Sequence, residues 1–517
     1  MKRFRVEVAL AVILLVYVAQ ATLLGRFSGF DEPWYKSAGR EWGLHGDFAS
    51  PELTGFFPGI AVGPEKVFFC YPPVYPFAFG LFVKLAGFGW RQCVLFDALI
   101  RAALSVATYL VARRLGGDRL PRWAAALTAV AVLPANLVGR PDDLATLFGL
   151  VAMLIALGGE SILVTGPLAG IFLGLCAGTS VAAAVMLAII VLVIFAVNAA
   201  PVPRKLLALT LCGASAAAVL ALVVAPVLIP HPRAIDQYRS LANAYALQGG
   251  PLALFAGFKF KRSLILGCLP LLAVGLWLSA MTFGAGGRER WLRLWLGPLL
   301  SLGFFFVTSP GKAMYLWFVT PWLLAATVAE LSLAWDQLPS WRRVVAAGVT
   351  IATVVAGAEL AIKSFISVAT MPPSQTPEAS ESALAAIIPP GRSVLTLDSW
   401  WLLARDHPVF DARWACVDSA AVDYVVLTGN GSGGPGIPLA FDDSHCGKSF
   451  PLQDYEPIDD RLSRHVPTLF GKPLMNSAYG FGNLVLKRKA SAMVPREDAR
   501  SDGNSSASAT MRAAGLR

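Results

Sequence analysis

Apolar runs of about twenty residues, broken by short charged clusters, recur from the N-terminus to Ile366. A helix of about that length crosses the hydrocarbon core of a bilayer. The candidate spans are Val6–Gly25, Cys93–Ala112, Trp123–Val138, Leu144–Gly158, Ile162–Gly178, Ala182–Val197, Leu206–Ile229, Ser263–Phe283, Leu294–Thr308, Ala313–Leu333 and Val344–Ser364. Pro73–Trp90 is also apolar, but it carries Pro76 and Lys84 and reads as a helix along the membrane surface. Pro33–Gly43 reads the same way: Trp34, Ala38 and Trp42 recur every four residues, with Lys36 and Arg40 on another face. After Ile366 the runs stop, and Pro, Ser, Asp and Arg become frequent, which puts a boundary near Thr370–Pro377.

The first run follows Lys2, Arg3 and Arg5 and is too long for the apolar part of a cleaved signal peptide. It reads as an uncleaved anchor with a cytoplasmic N-terminus. Threading from there, the inner loops receive Arg113, Arg114, Arg119 and Arg122, then Gly159 and Glu160, then Arg204 and Lys205, then Arg288, Arg290 and Arg293, then Arg342 and Arg343. That is the bias expected of cytoplasmic loops. The outer side receives residues 31–91, 140–143, Thr179, 231–262, 309–312 and everything after Phe365. A crossing at Pro73–Trp90 would invert every later loop.

The expected fold is therefore mainly α: a polytopic transmembrane helix bundle of about eleven spans over residues 1–367. Surface helices lie in its first outer loop, and a small extracytoplasmic α/β domain covers 378–490. The polar, low-complexity tail 491–517 is expected to be disordered. Composition agrees, with 56% hydrophobic and 15% charged residues, where a soluble chain carries roughly 25% charged. The net charge of +10 resides in loops that orient a membrane protein. No basic, aromatic-interleaved stripe accompanies it, so nucleic acid is not an expected partner. The expected location is the inner (cytoplasmic) membrane.

In the C-terminal part, Arg392–Leu397 and Asp423–Leu427 read as buried strands with a short helix over Ser399–Arg405 between them. Cys416 and Cys446 both fall outside, either as a disulfide or as two buried thiols. Cys93, Cys176, Cys212 and Cys268 fall within spans as packing residues, and Cys70 lies in the first outer loop. Residues 429–434 satisfy G-x-G-x-x-G, but Pro435 and Pro438 prevent the helix that would hold a pyrophosphate, so no dinucleotide site is expected.

Candidate chemistry gathers on the outer side. Asp31 and Glu32 follow the first span directly. Carboxylates there can serve as a general base, ligate a hard cation, or cap the helix that Pro33 starts. A second acidic pair, Asp142 and Asp143, follows Arg140 in the next outer loop with the same choice of roles. Lys259, Lys261, Arg262 and Lys312, with Arg233 and Arg239 nearby, place positive charge outside against the topological bias. A lipid phosphate headgroup would account for it, as would snorkelling at span ends.

The order of motifs resembles a known family. Asp31-Glu32 is followed by Tyr71-Pro72-Pro73-Val74-Tyr75-Pro76, an apolar segment through Lys84-Leu85-Ala86-Gly87, and a span ending Ala112-Arg113-Arg114-Leu115-Gly116. Arg140-Pro141-Asp142-Asp143 and Lys312-Ala313-Met314-Tyr315-Leu316 come later, then the soluble outer domain. This layout is similar to the GT-C superfamily of membrane glycosyltransferases, in particular the protein O-mannosyltransferases and lipid A aminoarabinose transferases. The resemblance implies an inverting glycosyltransferase using a polyprenyl-phosphate-linked sugar donor, with Asp31 as catalytic carboxylate supported by Glu32. It implies that Lys312 and Tyr315 face the lipid phosphate. The acceptor would be a lipid, polysaccharide or protein beyond the membrane. One departure stands out: Tyr71 occupies the position of a phosphate-contacting Lys in the aminoarabinose transferases, which weighs against that sugar. A divalent metal is left open as cofactor, with Asp31, Glu32, His45 and His231 as candidate ligands. The alternative is a polytopic transporter or flippase, whose ionisable groups tend to lie within spans.

Overall fold

The computed structural model describes residues 5–24, 32–56, 60–133, 140–158, 161–246, 271–280, 287–308, 313–335, 376–396, 403–411, 416–428, 450–459, 468–469, 472–473 and 483–490, with a few isolated positions. Most of the expected span Val344–Ser364, the glycine-rich loop, the tail and most of Ser399–Arg405 lie outside the described residues. Ten helices open the chain: α1 (Arg5–Leu24), α2 (Glu32–Leu44), α3 (Val74–Ala86), α4 (Trp90–Gly116), α5 (Arg122–Val132), α6 (Asp142–Ala156), α7 (Ile162–Ala177), α8 (Val181–Val197), α9 (Val202–Leu228) and α10 (Ile235–Ala246). Further helices cover Leu271–Ala280, Gly287–Trp291, Gly297–Thr308 and Thr320–Ala334.

By length and apolar composition, three described helices can cross a bilayer unaided: α1, α4 with the turn that follows it, and α9. Shorter apolar helices pack among them. α4 is the central pillar, packed against α1, α5, α6 and Thr320–Ala334. It stops at Gly117, whose φ of 57° suits a residue without a side chain and whose N–H caps the Arg113 carbonyl. α7 and α9 meet backbone to backbone. A methyl group on Gly166 would lie 2.6 Å from the Ala208 carbonyl oxygen, and one on Gly174 would lie 2.6 Å from that of Ala216. Small residues at such a seam let apolar helices approach closely where lipid supplies no hydrophobic drive. Polar side chains cross the bundle to backbone carbonyls: Ser105 Oγ donates to Ala129 O at 2.7 Å and Ser301 Oγ to Met186 O at 2.6 Å. A single π-turn, Leu292–Leu296, carries Trp295, whose Nε1 donates to Ser279 Oγ at 3.0 Å. Ser279 in turn donates to the buried Glu330, which also pairs with Arg290 at 3.2 Å.

The loops sort by end. At one end Arg122 pairs with Glu7, Arg114 Nε donates to Leu157 O at 2.8 Å, and Ser332 Oγ donates to Arg119 O at 2.8 Å. At the other, Val74 N donates to Gly178 O at 2.8 Å, and Gln237 of α10 takes Phe69 N–H at 2.9 Å while donating to Val62 O and Val67 O. Segments assigned to one side by the charge bias thus meet one another.

α3 is 13 residues long, about 20 Å, against a hydrocarbon core of about 30 Å. It lies on α2 through glycines. A methyl on Gly39 would collide with the Pro76 carbonyl, and one on Gly80 would lie 2.6 Å from Gly39 O. Gly39→Ala is therefore expected to cost about 1–3 kcal/mol, as overpacking does. Gly213→Ala, where nothing lies within 4 Å, should gain up to about 1 kcal/mol from helix propensity. Thermal unfolding of both variants in detergent checks the order, and a more stable Gly39→Ala would refute the close α2–α3 seam.

α2 differs from the expected surface helix. Lys36 and Arg40 are buried along with Trp34 and Ala38, because α4 meets Lys36 and the C-terminal part reaches Arg40. Arg40 Nη1 pairs with Glu52 at 2.9 Å and donates to Ala404 O at 3.2 Å. Glu52 also accepts from Ser37. Burial pushes the Glu52 carboxyl up from its ordinary range, and Arg40 and Ser37 pull it back in part. The C-terminal part itself begins with a helix at Pro377–Ile387, capped by Thr376. It contains β1 (Val394–Thr396), β2 (Val409–Asp411), β3 (Tyr424–Thr428), β4 (Tyr455–Asp459), β5 (Thr468–Leu469), β6 (Lys472–Pro473) and β7 (Asn483–Arg488). Five strands form a sheet in the order β2-β1-β3-β7-β4, parallel through β2-β1-β3 and antiparallel from β3 on. β5 and β6 pair separately. β2 lies by the 3₁₀ turn Pro51–Leu53 between α2 and α3, and Cys416 N donates to Thr54 O at 2.9 Å. Cys416 is disulfide-bonded to a cysteine outside the described residues. Cys70, Cys93, Cys176 and Cys212 are free and buried.

Candidate functional site

The two acidic pairs sit at the starts of two helices that one arginine joins. α2 begins at Glu32; the Glu32 side chain and all of Asp31 lie outside the described residues. α6 begins at Asp142 and Asp143. Arg140 Nε donates to Asp142 Oδ2 at 2.7 Å, and its guanidinium lies 5.7 Å from the centre of the Tyr35 ring, three residues after Glu32. Tyr35 packs at 4.6 Å on Tyr71, which also meets Trp34 edge-on at 5.9 Å. Segments about a hundred residues apart in sequence are thereby brought to one aromatic-lined place.

Asp143 is fully engaged. Its Oδ2 accepts from Arg101 Nε at 2.9 Å and Nη2 at 2.7 Å, and its Oδ1 accepts from Trp317 Nε1 at 3.0 Å. Arg101 Nη1 also donates to Leu133 O at 3.4 Å. Trp317 belongs to a 3₁₀ segment, Ala313–Phe318, that contains Tyr315. Lys312 precedes that segment, outside the described residues, as do Lys259, Lys261 and Arg262. Behind α2, Lys36 Nζ donates to Asp97 Oδ2 at 2.7 Å and to Cys93 O at 3.0 Å, and Tyr75 Oη donates to Asp97 Oδ1 at 2.9 Å. These bonds, with the glycine seam to α3, set the direction in which α2 starts.

Lys36, Asp97, Arg101 and Trp317 are the residues that sequence reading passed over as site components. Asp97 and Arg101 did carry a signal: ionisable residues inside an apolar span are costly and seldom idle. His45 is largely exposed beside Glu41 at 3.8 Å, and His231 is exposed. Among the described residues no group of three or more His, Cys, Asp or Glu side chains converges as metal ligands.

No protein-family model and no curated protein matches the sequence. Solved structures do. ArnT from Cupriavidus metallidurans, bound to undecaprenyl phosphate, is similar with a TM-score of 0.54 at 17% identity, covering 95% of this chain and 99% of that one. The mycobacterial arabinofuranosyltransferase AftD matches with a TM-score of 0.49 at 15% identity, over 95% of this chain and 40% of that one. The Archaeoglobus fulgidus oligosaccharyltransferase in its apo form matches with a TM-score of 0.49 at 12% identity, over 81% and 69%. The likeness to ArnT runs through nearly the whole of both chains and shows that the two share a fold.

Proposed function

We propose that this chain is an inverting glycosyltransferase that moves a sugar from a polyprenyl-phosphate carrier to an acceptor on the outer face of the cytoplasmic membrane. The observation that carries the reading is the convergence, within the fold of ArnT, of the Asp31-Glu32 helix and the Arg140–Asp143 segment through Arg140 and Tyr35. About eleven spans, a cytoplasmic N-terminus and an extracytoplasmic C-terminal domain complete it. The charge bias of the loops and their sorting to two ends of the bundle support this topology.

In this reading Asp31 takes the proton from an acceptor hydroxyl or amine, with Glu32 in support. The acceptor atom attacks the anomeric carbon as the bond from that carbon to the phosphate oxygen breaks on the opposite face, which inverts the centre. The electron pair leaves with the carrier phosphate. Arg140 is positioned to receive that charge, because Asp142 holds its Nε and Tyr35 supports its plane. Tyr71 stands where the aminoarabinose transferases that the chain resembles carry a Lys, and Arg140 lies across Tyr35 from it. Arg140 thus makes good the missing cation. Lys312, Tyr315, Lys259, Lys261 and Arg262 supply further contacts to the phosphate. Asp142 and Asp143 already have partners, which leaves the base role to the first acidic pair.

The transporter reading draws on ionisable groups within helices. Here Arg101 is tied to Asp143, and Glu330 to Ser279 and Arg290. Both are pairs in a fixed arrangement rather than a series along a path. Purified protein given a panel of polyprenyl-phosphate sugars and crude envelope acceptors distinguishes the two. Transfer, with release of free polyprenyl phosphate, is expected. Carrier binding without any bond cleavage across the panel would favour a flippase. Chelation in the same assay reads metal dependence.

A further inference from the structure

The 3₁₀ segment Ala313–Phe318 runs for six residues, longer than the three or four that such a helix sustains by its own strained hydrogen bonds. It needs an external tie. In a 3₁₀ helix residues three apart eclipse one another, and Tyr315 and Phe318 do so, stacked at 5.4 Å with 18° between their planes. Trp317 therefore projects from a different side. It finds Asp143 there, with its indole N–H 3.0 Å from Oδ1. All three members of the tie are buried: Arg101 is 2% exposed, Asp143 4% and Trp317 6%.

Arg101 has two effects on Asp143. By placing Nε and Nη2 on the same oxygen, Oδ2, it leaves Oδ1 for the indole. It also cancels the charge of Asp143, as Arg140 cancels that of Asp142. An uncompensated acidic pair would repel a phosphate group; this one presents none of its charge.

We propose that Trp317 is a positioning residue for the donor phosphate: its bond to the Arg101-held Asp143 locks the rotation of the 3₁₀ segment and so the direction in which Tyr315 faces. The proposal rests on the donor reading of Tyr315 and adds how that side chain is aimed. Its carboxylate partner acts in the same way, through the segment and not on the reacting atoms.

The test is a double-mutant cycle on the binding of undecaprenyl phosphate to the full-length protein in detergent. Tyr315→Phe is expected to weaken binding severalfold. Trp317→Phe, which keeps an aromatic ring and removes the N–H, is expected to weaken it severalfold and by no more than Tyr315→Phe does, since its effect passes through that side chain. In the Tyr315→Phe background, Trp317→Phe should add almost nothing, since it acts through Tyr315. Equal losses in both backgrounds, or no loss in the wild-type background, would overturn the positioning role while leaving the donor reading standing. Unchanged binding by Tyr315→Phe would overturn both the donor role of Tyr315 and the proposal, and failure of the wild type to bind the probe would do the same. Melting temperatures accompany each variant. Should Trp317→Phe not fold, Trp317→Leu, which also lacks the donor, carries the same cycle.

Discussion

Replacement of Asp31 by Asn is expected to lower sugar transfer at least about a hundredfold, the usual contribution of a positioned general base, while donor binding and expression persist. Asn caps a helix about as well as Asp, so the variant keeps any cap to α2 and removes only charge and basicity. The direction of α2 does not depend on Asp31. It is fixed behind by the Lys36–Asp97 pair and beside by the Gly39–Gly80 seam. A fall in turnover would therefore report chemistry and not a displaced helix. Near-normal transfer by Asp31→Asn would reduce Asp31 to a cap. It would also leave the catalytic base to be sought at Glu32, because Asp142 and Asp143 are held by Arg140, Arg101 and Trp317.

Loss of the Arg140 side chain is expected to weaken the lipid-phosphate donor by about 1.5–3 kcal/mol, the worth of a charge-assisted contact, which is roughly a ten- to 150-fold rise in Kd. Arg140→Ala also frees the Asp142 carboxylate, and repulsion by that charge would weaken binding too. The double variant Arg140→Ala/Asp142→Asn separates the causes. If the lost affinity comes from the missing guanidinium, the double variant stays weak; if it comes from the exposed carboxylate, affinity returns. Lys312→Ala, and Lys259→Ala with Arg262→Ala, extend the same titration to the rest of the cationic set. Wild-type affinity in all of them would remove the phosphate role from these residues.

Much of the helical layout was legible because its cause is local. A twenty-residue apolar run bounded by arginines has few alternatives, and Ile162–Gly178 and Ala182–Val197 came within a residue or so of α7 and α8. Ala313–Leu333 was less legible: it reads as one hydrophobic stretch, yet the chain forms a 3₁₀ segment and then a helix from Thr320, where Pro321 starts a new helix more readily than it continues an old one. The strands at Val394–Thr396 and Tyr424–Thr428 showed as apolar runs, whereas the pairing of β4 with β7 is encoded by no local pattern. The site was legible in its carboxylates and illegible in their partners. Trp317 and Asp143 are separated by 174 positions, and nothing near either residue points to the other. Lys36 and Arg40 misled for a related reason. Charged residues on one face of a short helix imply solvent, but α4 meets Lys36, and the C-terminal part, arriving some 360 residues later, reaches Arg40.

The grip of Arg40 on Ala404 is a bond to a main-chain oxygen, and every amino acid has one. The two sides of that handshake consequently make unequal demands on the side chain. On the C-terminal part, what the bond requires is the path of the backbone at position 404, whatever side chain stands there. On α2 the arginine itself matters, since a single ammonium does not reproduce a fork whose Nη1 meets the Ala404 carbonyl and the Glu52 carboxylate while Nη2 meets Glu41. A protein built this way tolerates a change of side chain at position 404 and keeps α2 in place.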